Sequence, residues 1–164
     1  MCPESAEQAE SPIVRYFVLR CDNIKFWFPH WSNKVSTNKS VEPVFHPFTA
    51  IPGLPFSECV EVGELLFLAG QIGTDANGKL AEGGIAAETR HALANIQGLL
   101  QKYGSSMERA VKVTVMLADM AEWPAMNAEY KKFFGKDLPA RSAFGCNGLA
   151  MGARVEIECI AVKK

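Results

Sequence analysis

From residue 55 onward, apolar and polar residues alternate with clean periods. Ser57 to Val62 and Leu65 to Ile72 read as two strands, with Gly63 and Glu64 at the turn between them. Leu66, Leu68, Gly70 and Ile72 fall on one face of the second strand. Thr74 to Lys79 follows with an Asn77-Gly78 pair, whose tolerance of positive φ at both central positions predicts a hairpin-like connection. Ala86 to Tyr103 switches to helical spacing. Thr89, Leu93, Ile96, Leu100 and Tyr103 recur at intervals of four and three and share one stripe. Glu88 near its start and Lys102 near its end suit the helix dipole, and Gly104 offers a C-terminal cap.

Val111, Val113, Val115 and Leu117 then alternate with Lys112, Thr114 and Met116, a strand with one buried face. A second helix is expected from about Glu122 to Phe134, with Trp123, Met126, Tyr130 and Phe133 on its inner stripe and Gly135 ending it. Pro124 must lie in its first turn, where a missing N–H has no partner to lose. Ala140 to Cys146 and Arg154 to Val162 read as a closing hairpin, joined by the glycine-bearing loop Asn147 to Gly152. The order ββαβαββ predicts an α+β fold with helices on one face of a sheet. The sheet's other face then needs cover, which a partner subunit can supply.

The chain changes character near residue 48, so residues 1–48 are set apart as an N-terminal extension and 49–164 as the domain. The extension holds irregular apolar clusters, the aromatic run Phe26-Trp27-Phe28-Pro29-His30-Trp31 and a polar stretch from Ser32 to Ser40. Pro43, Pro47, Pro52 and Pro55 punctuate an extended connector, since each lacks a donor and biases its predecessor away from helix.

Apolar residues at 48% and charged ones at 21% exclude wholesale disorder. Lys and Arg number 17 against 18 Asp and Glu, a balance that argues against nucleic acid as the main partner. Cys2, Cys21, Cys59, Cys146 and Cys159 include no C-x-x-C pair and read as reduced thiols. His30, His46 and His91 lack ligand spacing, so neither a metal nor another cofactor is expected. Glu4, Glu7 and Glu10 carry the wrong sign for a secretory or mitochondrial leader. The apolar stretch Ile13 to Arg20 is too short and too charged to span a membrane. Asn38-Lys39-Ser40 matches a glycosylation acceptor but follows no secretory signal, and the cytoplasm is the expected location.

Several nucleotide and nucleophile motifs fail on inspection. Gly73-x-x-x-x-Gly78-Lys79 has the outline of a phosphate loop, yet Leu80 stands where a hydroxyl should reach magnesium and Asp75 would face the phosphates. No G-x-G-x-x-G follows a strand, and no histidine lies in a strand that would build a Ser-His-Asp or Cys-His site. What remains is Leu138-Pro139-Ala140-Arg141-Ser142-Ala143 and, one hairpin later, Val155-Glu156-Ile157-Glu158. Arg141 opens a strand directly after a proline, a rigid edge from which a guanidinium can take a carboxylate through two parallel bonds. The plainer reading makes Arg141 structural and Glu156, beside Arg154 and Glu158, part of a solvated face. The residues supply a candidate cation and a candidate carboxylate; nothing in their spacing shows that they meet.

Six blocks in order carry a resemblance. Pro55-Phe56-Ser57, Ala69 to Gly73, Val111 to Val115, Met126 to Tyr130, Pro139 to Ser142 and Val155 to Val162 together resemble the Rid family, the imine/enamine deaminases also called YjgF-like or L-PSP proteins. The resemblance runs from about Thr49 to Val162. It implies a chorismate-mutase-like fold, a homotrimer with clefts between subunits, and hydrolysis of 2-imino acids to 2-keto acids and ammonia. By the same resemblance Arg141 binds the substrate carboxylate, helped by backbone N–H groups near Gly70 and Ala143, and Glu156 activates the water. Phe56 and Asn127 match pocket positions. Phe56, Ala69 and Ala143 stand where many members have tyrosine, serine and cysteine, which makes the pocket less polar.

Two other functions compete with the deaminase. An endoribonuclease or translation-inhibitor activity has been attached to the same family, but it calls for phosphate contacts and an acid–base pair, against which the charge balance and the distant histidines argue. A binding or chaperone-like module could use the cleft without turnover, with the aromatic run as a partner anchor.

Overall fold

The computed structural model describes residues 16–21, 24–29, 41–49 and 53–164. The chain divides into two compact units, Met1–Lys39 and Ser40–Lys164. In the first, β1 (Tyr16–Cys21) and β2 (Ile24–Pro29) pair antiparallel, with Tyr16 opposite Pro29 and Cys21 opposite Ile24. Part of the stretch expected to be irregular is therefore a ladder. Glu4, Glu7, Glu10, His30, Trp31 and Asn38-Lys39-Ser40 lie outside the described residues.

The second unit contains β3 (Val44–Pro47), β4 (Ser57–Val62), β5 (Leu65–Ile72), α1 (Gly84–Lys102), β6 (Ala110–Leu117), α2 (Trp123–Tyr130), β7 (Ala140–Gly145) and β8 (Val155–Val162). Its sheet runs β3-β4-β5-β8-β6-β7, and only β6 and β7 are parallel. This is the α+β class expected, with β3 added from the connector. Pro43 and Pro47 bracket that short strand, and a sheet edge tolerates residues that cannot donate to a ladder.

The closing hairpin does not form. β8 inserts between β5 and β6, and β7 reaches β6 through the crossover that contains α2. A parallel pair needs such a crossover, whereas the loop from Asn147 to Gly152 only carries the chain to a different slot in the sheet. The second helix also ends sooner than expected, at Tyr130 and not at Phe134. Lys132 and Phe133 donate to Glu129 and Tyr130, three residues back, so the chain tightens out of the α-helix before Gly135. In the Asn77-Gly78 turn only Gly78 takes positive φ, 75°. The Asp75 carboxylate accepts from the N–H of Asn77 and of Lys79, which stabilises the turn without a left-handed asparagine.

The core lies between the sheet and the helices. Leu93, Ile96 and Leu100 of α1 are buried together with Leu66, Leu68, Val113, Val115, Ile157 and Cys159 of the sheet. Each fully buried Leu or Ile side chain contributes about 1.5–3 kcal/mol. At the end of α1, Gly104 has φ 76°, its N–H reaches the Gln101 carbonyl, and the Ser105 N–H reaches the Leu100 carbonyl at 2.7 Å. Those two bonds satisfy carbonyls that the helix leaves open. Glu88, expected to serve the helix dipole, is instead buried and accepts the Arg154 N–H at 2.8 Å. Among the described residues no helix is long and apolar enough to cross a membrane.

Candidate active site

Arg141 sits on β7, in register with Val113 of β6. Parallel partners point to the same face, so Arg141 shares the helix side of the sheet with the buried Val113 and Val115. Its guanidinium lies over the ring of Tyr130, 4.6 Å from the centroid, and 5.9 Å from the centroid of Trp123. Trp123, Asn127, Tyr130, Lys131, Leu138, Pro139 and Arg141 line an open, largely apolar cleft of about 400 Å³. No carboxylate lies within ion-pair distance of Arg141 among the described residues. A planar cation with uncommitted donors at an apolar wall is suited to a small carboxylate.

Glu156 sits on β8 opposite Met116 of β6 and Ile72 of β5. Its neighbours Val155 and Ile157 are buried toward the helices, so Glu156 faces the open side of the sheet. Burial pushes its carboxyl above the usual glutamate range, and the nearby Glu158 adds to the rise. A carboxylate whose pKa is raised is a stronger base than an ordinary glutamate, which suits it to take a proton from a water and return it.

Gly70 reaches Glu156 through a bulge. Between Leu68 and Gln71, β5 spends three residues where β8 spends two. One extra residue flips the alternation, so Leu66 and Leu68 face the helices while Gly70 and Ile72 turn to the Glu156 side. The four residues expected on one face are therefore split across two. The result is contact: a β-carbon built on Gly70 would lie 2.0 Å from Glu156 Oε1.

The sequence-named residues thus form two groups. Arg141, Ala143 and Asn127 are on the helix side, and Gly70 and Glu156 are on the open side. Arg141 and Glu156 do not converge within one chain. Phe56 belongs to the segment before β4, 47% exposed, with its ring 5.5 Å from that of Phe48. Arg154, read as a neighbour of Glu156 on a charged face, turns its side chain to Glu122 instead.

Two cleft residues escaped the sequence reading. Tyr130 lies on the inner stripe expected of α2 at 4% exposed, whereas Trp123 is 40% exposed, and both also line the cleft. A signal was present: residues 123, 127 and 130 are spaced by four and three, which places both aromatics beside Asn127. Among the described residues no group of three or more His, Cys, Asp or Glu is placed to hold a metal ion.

Comparison with known proteins adds to this geometry. The family model described as Endoribonuclease L-PSP matches residues 49–163. A 2-iminobutanoate/2-iminopropanoate deaminase of Mus musculus is 41% identical over 110 residues, which is 66% of this chain and 82% of the relative. The crystal structure of YEO7_yeast is similar with a TM-score of 0.68 at 34% identity, covering 76% of this chain and 99% of that one. A Rid family protein from Yersinia pestis is similar with a TM-score of 0.67 at 31% identity, covering 74% and 99% of the two chains.

Proposed function

Because the chain belongs to the L-PSP, or Rid, family, we propose that it hydrolyses reactive 2-imino acids to 2-keto acids and ammonia, in clefts shared by neighbouring protomers of a homotrimer. The observation that carries this reading is the Arg141 guanidinium, set over an apolar cleft with no carboxylate within ion-pair distance among the described residues.

The chemistry asks little of the protein beyond placement. The substrate carboxylate takes two parallel N–H···O bonds from Arg141, with backbone N–H groups near Ala143 and Gly70 completing its shell. Each charge-assisted bond is worth about 1.5–3 kcal/mol once water is excluded. A protonated imine is already electrophilic at carbon. Glu156 takes a proton from a water as the water oxygen bonds to C2, then passes that proton to the nitrogen. The carbinolamine then collapses: its hydroxyl gives its proton to the Glu156 carboxylate as the C=O bond forms and the C–N bond breaks, so ammonia leaves a keto group behind. Orientation and general acid–base help, typically 10²–10⁴-fold for the latter, are about what an already fast hydrolysis needs. Phe56, Ala69 and Ala143 make the surroundings of this reaction less polar than tyrosine, serine and cysteine would.

The two faces support a shared cleft. Arg141 on the helix side and Glu156 on the open side act on one substrate when a second protomer brings its glutamate to the first one's arginine. The open side carries the exposed Phe45, Leu65, Phe67 and Phe144, apolar area that a second copy covers. The free thiols Cys59, Cys146 and Cys159 suit a reducing compartment such as the cytosol. A nuclease reading gains little: His46 pairs with Glu61 at 2.9 Å, and the cleft offers Lys131 and Arg141 without a histidine.

The test generates fresh imine with an amino-acid oxidase and follows its decay. Wild type accelerates the decay, and Arg141→Ala and Glu156→Ala lose the acceleration. Equal rates for all three proteins would remove the site from consideration.

A further inference from the structure

We infer that Tyr130 and Trp123 are positioning residues for Arg141: their ring faces hold its guanidinium in place without neutralising it, so the carboxylate of a 2-imino acid becomes its ion-pair partner. The inference rests on the function proposed above and deepens it.

Arg141 differs from the other arginines described in this unit. Arg90 pairs with Glu129 at 3.2 Å, Arg154 pairs with Glu122, and Arg109 donates to the backbone carbonyls of Val162 and Lys163. Each has its charge or its donors answered by oxygen. Arg141 is answered by two aromatic faces, at 4.6 Å and 5.9 Å. A ring quadrupole attracts a cation without cancelling its charge, and a guanidinium lying over a ring keeps its in-plane N–H groups directed outward. Had a protein carboxylate held the same group, a ligand would first have to displace it.

The two rings have different duties. Tyr130 is 4% exposed and packs against Phe134 with centroids 4.6 Å apart, so it is a fixed floor. Trp123 is 40% exposed and forms the outer wall. Tyr130 also stays neutral: burial pushes its phenol up to about 12, so no phenolate competes with the ligand for the cation. Its hydroxyl makes no hydrogen bond of normal geometry among the described residues but lies near enough to Arg141 to feel its charge, so Tyr130→Phe is the change that separates the ring face from the hydroxyl.

The experiment uses the full chain with Tyr130→Leu, Trp123→Leu and Tyr130→Phe. It measures KM and kcat on fresh 2-imino acid, the dissociation constant of the 2-keto acid product, and the Nε–H resonance of Arg141 in 15N-labelled protein. Losing either face raises KM and the product dissociation constant about 2- to 30-fold, the span of a cation–π contact from exposed to desolvated, while kcat moves less. Tyr130→Phe keeps the face and recovers most of the lost affinity. Trp123→Leu is decisive if Tyr130→Leu does not fold, because the tryptophan is a wall and not part of the core. Unchanged constants in a folded leucine variant of an active protein overturn the inference. A wild type without deaminase activity overturns the proposed function instead, and the resonance then decides the cradle. A ring-current shift present in wild type and Tyr130→Phe but lost in Trp123→Leu or Tyr130→Leu supports it; the same position in all overturns it.

Discussion

Gly70 and Glu156 stand so close that a β-carbon on the glycine would fall 2.0 Å from Oε1 of the glutamate. The obstructing atoms are the far end of a flexible side chain, so in Gly70→Ala the carboxylate yields and the fold persists. Displacing a group that must aim a water by about 1 Å costs on the order of 10²-fold in rate. Steady-state kinetics should show that loss in kcat, with a circular dichroism spectrum and thermal midpoint close to wild type. A fully active alanine variant would detach Glu156 from the chemistry.

The acid limb of the pH–rate profile should report the same carboxyl. Burial, and then the charge of Glu158, raise the pKa of Glu156, so it keeps its proton to a higher pH than an ordinary glutamate. Activity that needs the ionised form therefore falls away above the usual glutamate range as pH decreases. Glu158→Gln removes the like charge and should move that limb downward; an unmoved limb contradicts the assignment. Stability carries the opposite sign. A folded pKa above the unfolded one favours folding below the unfolded value and loses that advantage as pH rises through the folded value. Glu156→Gln should thus melt higher than wild type at neutral pH.

Arg141 and Glu156 on opposite sides of one sheet predict complementation. Arg141→Ala and Glu156→Ala are each expected to be inactive. If every cleft draws one residue from each of two neighbours, random co-assembly after joint refolding leaves about a quarter of the clefts intact. Activity should return on mixing toward that fraction. No return from a properly mixed assembly would place both residues in a single protomer.

Glu58 should shape acid stability. Burial works to raise its pKa, but donation from Lys102 and Tyr103 outweighs it and holds the carboxyl below the usual range. A depressed folded pKa contributes stability above the ordinary glutamate value, lost as pH falls through the folded one. Thermal midpoints across that window should fall less steeply in Glu58→Gln than in wild type. Parallel curves would mean that the pair contributes nothing measurable.

The sequence by itself determined the elements that depend on neighbours along the chain. Ser57–Val62 and Leu65–Ile72 are strands at the residues where alternation begins and ends, α1 follows the stripe Thr89-Leu93-Ile96-Leu100, and Gly104 caps it. Local periodicity reports which face is buried, and burial stabilises the matching element. The sequence blocks around Arg141 and Glu156 also singled out those two charges. Only the tertiary structure decided where they stand. Insertion of β8 between β5 and β6, the bulge that turns Gly70 toward Glu156, and the rings that cradle Arg141 all arise from pairings between residues far apart in sequence. Alternation names a buried face but not the strand that will lie beside it. A single extra residue in a ladder reverses that face with no mark in the local pattern.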